Sequence, residues 1–146
     1  MAAMSNYLEN KIIDWLLRQV AFTPPTTVYI GLFTSTPSDT GGGTECSGGS
    51  YARASIACST ANWAATNGAT LTTNPSSGTS GQTSNNIVIS FPTPSLSWGT
   101  VTHFAIFDAL SGGNMLFWGA LSASKLVQSG DTVSIQISQL VVQIDD

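Results

Sequence analysis

The stretch VTHFAIFDALSGGNMLFWGALS, residues 101–122, decides how this chain is read. Residues 101–108 and 114–122 are rich in β-branched and aromatic side chains, which fit a pleated, half-buried surface. Residues 109–113 between them end in two adjacent glycines, and a short glycine turn joining two such runs is the signature of a β-hairpin. Side chains alternate faces along a strand, so His103 is expected to share one face with Val101, Ala105 and Phe107. In that position a histidine ordinarily serves as a structural group that hydrogen-bonds across the sheet.

Moving outward, residues 27–34 (TVYIGLFT) and 51–57 read as strands, and so does the short run 87–91, closed by Pro92 and Pro94. A last strand is expected over 132–144. Its apolar parity flips near Ser138 and Gln139: Val133, Ile135 and Ile137 are odd, whereas Leu140, Val142 and Ile144 are even. Either a β-bulge restores the inward set there, or the chain crosses from one sheet to another. Residues 37–49 form a glycine-rich loop, and 59–86 form a long Ser/Thr/Asn/Gly tract.

One helix is expected, over residues 5–20. Ser5 or Asn6 can cap it, and Glu9 stands in its first turn, where a carboxylate favours the helix dipole. Pro24 and Pro25 end it. Leu8, Ile12, Trp15 or Leu16, and Val20 fall on one face, which Ile13 and Leu17 widen. That face is too wide for a solvated helix, so it packs on its own sheet or on a neighbouring subunit. The fold expected is mainly β: a β-sandwich or partly open barrel of about six to eight antiparallel strands with one N-terminal α-helix. The 146 residues make a single domain, residues 1–146, with a β domain over 27–146.

Composition narrows the function. Charged residues are 8% of the chain, the net charge is -4, and 20 Ser and 18 Thr supply small hydroxyls. Four cations cannot neutralise a phosphate backbone, which argues against nucleic acid. No run of apolar residues is long enough to span a membrane as a helix. So little charge on so much surface points to a chain that partners cover. Cys46 and Cys58 lie near the two ends of an expected strand, too far apart for a disulfide, so both are read as free thiols, with Cys58 a small buried hydrophobe. Met1 to Ser5 is short, uncharged and followed by helix-like sequence, so no signal peptide is expected, and assembly in a reducing cytoplasm fits.

Reactive constellations are weak. One histidine and two scattered cysteines give no metal-ligand spacing, and no G-x-S-x-G elbow occurs. Gly41–Gly43 precede a strand rather than a helix and lack a following GK[ST], so they read as turns. Asp39 and Asp131 read as turn makers. Arg53, the one charge inside an expected strand, lies either on a solvated face or in an ion pair with Asp108 or a partner's carboxylate. Trp118 is expected in the core, and Trp98 as a clamp on the loop after the prolines. Trp63 either pins the polar tract or meets a partner. No catalytic residue, cofactor or metal is assigned, and no enzyme is expected.

Four segments carry a resemblance: YLENKIIDWLLR (7–18), AFTPPTTVYIGLFTSTPSD (21–39), GGGTECSGGSYAR (41–53), and FPTPSLSWGTVTHFAIFDALSGGNMLFWGALSASKLVQSGDT (91–132). In this order and spacing they resemble small structural proteins of tailed bacteriophages, loosely described as tail-fibre or capsid-associated proteins. The resemblance covers most of the chain apart from 59–86. It implies a β-rich fold, a place in the virion and no catalytic residues.

The first functional expectation is a capsid decoration, or cement, protein that bridges capsid subunits. Its partners would be the major capsid protein and copies of itself, with no nucleic acid and no membrane, on the capsid surface of the virion. Tyr7, Leu8 and Trp15 of the helix, with Trp63 of the tract, are the expected contact residues. The alternative is a tail component, a fibre or baseplate subunit whose partners are tail proteins. A carbohydrate-binding module stands third, and would need Trp63 beside Asp39 or Glu45.

Overall fold

The computed structural model describes residues 2–67 and 75–144. Its centre is the expected hairpin: β6 (Gly99–Phe107) and β7 (Met115–Val127) run antiparallel, joined through Gly112 and Gly113 at φ of 61° and 74°. Asp108 fastens the turn by accepting from the Asn114 N–H and Nδ2, both at 2.7 Å. Next to β6 lies β2 (Thr27–Phe33), and beyond it β3 (Ala54–Ala57). An unforeseen strand, β1 (Ala2–Met4), pairs along β7, completing a five-stranded antiparallel sheet of order β1-β7-β6-β2-β3. Three residues are too few to show a period, so sequence pattern could not reveal β1.

Two small sheets accompany the large one: β4 (Gln82–Ser84) with β9 (Val141–Gln143), and β5 (Ile89–Ser90) with β8 (Ser134–Ile135). The core joins one face of the five-stranded sheet to these pairs. Ile30, Ile56, Phe104, Ile106 and Leu116 meet Ile89, Phe91, Leu140 and Val142 there. The other face carries a smaller cluster of Phe33, Ala105, Phe107 and Met115, flanked by Tyr29 and Trp118. The architecture is mainly β and sandwich-like with one N-terminal helix, as the sequence predicts.

The structure corrects some of these expectations and decides between alternatives in others. The register of β6 against β7 shifts between Val101 and His103. Val101 therefore turns into the main core with Phe104, while His103 keeps the parity of Ala105 and Phe107. His103 lies 2.8 Å through Nδ1 from Thr102 Oγ1, its own neighbour, rather than bonding across the sheet. The last strand is not continuous: β8 and β9 are separate and pair with different partners, so the parity flip marks a change of sheet and not a bulge. The thiols are free, but Cys46 is the buried one and Cys58 is exposed. Finally, Arg53 is neither solvated nor paired with Asp108; it reaches Glu45.

The buried side chain that organises the end of the chain is Asn85, fully enclosed. Its Nδ2 donates to the Ile87 and Gln136 carbonyls, at 2.7 and 2.9 Å, and its Oδ1 accepts from the Leu140 N–H at 2.9 Å. Its backbone carbonyl accepts from the Ser138 N–H at 2.8 Å. Ser138 sits at φ 63°, left-handed backbone that non-glycine residues seldom adopt. Asn85 thus holds the corner that turns β8 into β9.

Candidate functional site

The helix α1 spans Asn6–Leu17. Ser5 caps it: its Oγ accepts from the Leu8 N–H at 3.3 Å and donates to the Met115 carbonyl. The Ser5 and Asn6 N–H groups donate to the Leu116 and Asp39 carbonyls, at 2.9 and 3.0 Å. The first turn of α1 is therefore sewn to β7 and to the 37–49 loop.

Leu8 is buried in the main core, so it holds the helix to its own sheet and is unavailable as a surface contact. Tyr7 is half-buried, with the Lys11 ammonium 5.6 Å from its ring centre. Trp15, near the far end, is 57% exposed. Trp63 is half-buried against the core, bridged to Asn85, so it pins the polar tract to the body. It lines a cavity of about 380 Å³ with Val28, Ile106, Phe117 and Val142. Trp63 and Trp15 thus lie on different elements, the first half-buried and the second exposed.

Only part of the apolar face read from the sequence is covered: Leu8 and Ile12 pack on the core, and the other positions do not. Ile13, Leu16, Leu17 and Val20 are all exposed. Ile13, Leu16 and Leu17 share one side of α1, and Val20 lies beyond its end, after Gln19 at φ 56°. Leu71 and the rest of 68–74 in the polar tract lie outside the described residues.

The strongest electrostatic feature is the cluster around Glu45. Arg53 donates from Nε and Nη2 to the two carboxylate oxygens of Glu45, both at 2.8 Å, and from Nη1 to the Ala109 and Gly112 carbonyls, also at 2.8 Å. Its guanidinium stacks 3.4 Å over the Phe107 ring. The Tyr51 hydroxyl donates to Glu45 Oε1 and accepts from the Leu32 N–H, each at 2.9 Å. Gly31 makes the room: a Cβ there would stand 2.8 Å from Glu45 Oε1. The cluster clamps the 41–53 loop and the hairpin turn onto the outer face of the sheet. Trp98 extends the clamp, its indole N–H donating to the Gly49 carbonyl at 3.1 Å. Trp118 is half-buried rather than core, and its indole N–H reaches Asp39 at 3.1 Å.

Burial, with the Glu45 charge beside it, pushes the Cys46 thiol from 9.0 up to about 11. Burial also drives the Tyr51 hydroxyl well above its ordinary value, and Glu45 adds to the rise. In both cases folding favours the neutral form, so the unfolded chain ionises first as pH rises. Stability from these groups is complete below about pH 9, and the Cys46 contribution is lost between there and about pH 11. The thermal midpoint is expected to fall steadily from pH 8.5 to pH 11 in a calorimetric series, and Cys46→Ala is expected to flatten that fall.

A family model described as "Podophage GP4 fiber I protein gp80" matches residues 3–143. No curated protein matches the chain.

Proposed function

The chain belongs to the family of the podophage GP4 fiber I protein gp80, a family of phage structural proteins, and we propose that it is a subunit of a tail fibre. The family match carries this reading. Its description names a fibre, so it favours the tail over the head-shell role that the composition and resemblance first brought forward. The role is architectural: no reaction is assigned, and the partners are other tail proteins. A weakly charged β domain with an uncovered apolar helix face suits a life packed against neighbours in a particle.

The test is the place and number of this chain in purified virions. Gold-labelled antibody against it is expected at the tail, with a copy number that is a small fraction of the major capsid protein's. Labelling spread over the head, at near parity with the major capsid protein, would overturn the fibre reading in favour of capsid decoration.

A further inference from the structure

The N-terminal arm, residues 2–17, meets the body of the domain at one end. β1 pairs with residues 117–119 of β7, and Ser5, Asn6 and Leu8 fasten the first turn of α1. Ala2, Ser5 and Leu8 are buried in that seat, whereas Ile13, Leu16 and Leu17 at the far end of the helix are exposed. Without the arm, β7 would have an open edge at 117–119 and the core would lack Ala2 and Leu8. The seat is therefore incomplete until an arm fills it.

The link from arm to body, residues 18–25 (RQVAFTPP), is held lightly. The Arg18 and Val20 N–H groups donate back to the Asp14 carbonyl of α1 itself. Phe22 packs against the main core, and the backbone is next tied down at Thr26, whose carbonyl accepts from the Cys58 N–H at 2.9 Å. Arg18 to Ala21, Thr23 and Pro24 are exposed.

Two features bias this link toward opening out. Gln19 holds φ 56°, the left-handed position just past a helix where glycine is the usual residue. Straightening the turn relieves that strain. Pro24 and Pro25 have fixed φ and keep the residues before them extended, so the second half of the link has little freedom left to lose. Fully extended, 18–25 reaches roughly 26 Å, close to the ~30 Å width of a small domain.

We propose that the arm is exchanged between copies: residues 2–17 of one copy seat on β7 of a second, whose arm seats on the first, with 18–25 straightened as the hinge. The seat itself selects the occupant. It already receives this segment through the β1–β7 register, the Ser5 hydroxyl on the Met115 carbonyl, the Asn6 N–H on the Asp39 carbonyl and the burial of Leu8. Exchange keeps each of these contacts and changes only which copy supplies it. The balance between closed and exchanged forms then lies in the hinge.

The test uses two variants, each in a Cys58→Ser background. Ala3→Cys puts a thiol on β1, and Trp118→Cys puts one on β7, opposite it in the register. Neither can form the β1–β7 bridge within its own chain. Unfolded together in urea, refolded at about 500 µM and mildly oxidised, they are expected to give a reducible heterodimer in clear excess over either homodimer. Absence of the heterodimer, or homodimers in equal amount, overturns the proposal.

A second readout needs no change at Trp118. Wild type refolded at about 500 µM and diluted to about 10 µM is expected to remain dimeric through a sedimentation run, because the arms return only by unfolding from their seats. Refolded at about 10 µM, it is expected to run as monomer. A dimer that dissociates at once on dilution, or monomer under both regimes, overturns the proposal. Gln19→Gly is expected to lower the exchanged fraction at least about fivefold, since glycine takes the left-handed turn of the closed form without strain. An unchanged or raised fraction in that variant likewise overturns it.

Discussion

Arg53→Met is expected to destabilise the domain by about 3–5 kcal/mol, the cost of leaving one member of a buried ion pair alone. The side chain of Arg53 is only 7% exposed, and four of its hydrogen bonds go to Glu45, Ala109 and Gly112. Methionine fills the space over Phe107 but returns none of these bonds. Glu45 is then a half-enclosed carboxylate kept company only by the Tyr51 hydroxyl, and two turn carbonyls lose their donor. Against a total stability of about 5–15 kcal/mol for a domain, such a loss is severe.

Urea unfolding checks it: the midpoint should drop sharply with little change in slope. Arg53→Lys is expected to recover only part of the loss, because an ammonium cannot make the bidentate, stacked contact. A double change, Arg53→Met with Glu45→Gln, should cost clearly less than the two single changes added together. Additivity within error would show that the pair is not the unit holding the hairpin turn to the loop.

Asn85→Ala is expected to cost about 2–3 kcal/mol, since one deletion strips a buried backbone N–H and two part-buried carbonyls of their partners. Those groups are the Ile87 and Gln136 carbonyls and the Leu140 N–H. The effect should also be local: hydrogen exchange at Leu140, and at Ser138 on the same corner, should accelerate far more than exchange in β6 or β7. Asn85→Asp should be worse than its size suggests. A carboxylate cannot donate, and it would face the oxygens of Ile87 and Gln136 in a fully enclosed site. A change of under about 1 kcal/mol for Asn85→Ala would mean that the β8–β9 corner holds without the amide.

Both residues show where sequence reading stops. In isolation Arg53 is an odd-numbered charge in a strand-like run, consistent with a solvated face. Its partner Glu45 sits eight positions back in a glycine loop, and its other anchors are 56 and 59 positions ahead. Asn85 is one asparagine in a tract full of them, and its Leu140 partner is 55 positions away. The parity flip at Ser138 and Gln139 was visible, but choosing between a bulge and a change of sheet required knowing which strands β8 and β9 pair with. The two cysteines were legible as unbridged; which one is buried depends on how the loop carrying Cys46 folds over β2, where its N–H donates to the Leu32 carbonyl at 2.8 Å.

The helix, the central hairpin and the strand over 27–33 were determined by the sequence alone, because cap chemistry, proline stops, glycine turns and apolar periods act over a handful of neighbouring residues. Tertiary structure alone decided the pairing order of the strands, the enclosure of Arg53 and Asn85, and the division of α1 into a buried Leu8 and an exposed Ile13, Leu16 and Leu17. Periodicity states that a face is apolar; only the packing of residues distant in the chain determines which part of that face its own core can cover.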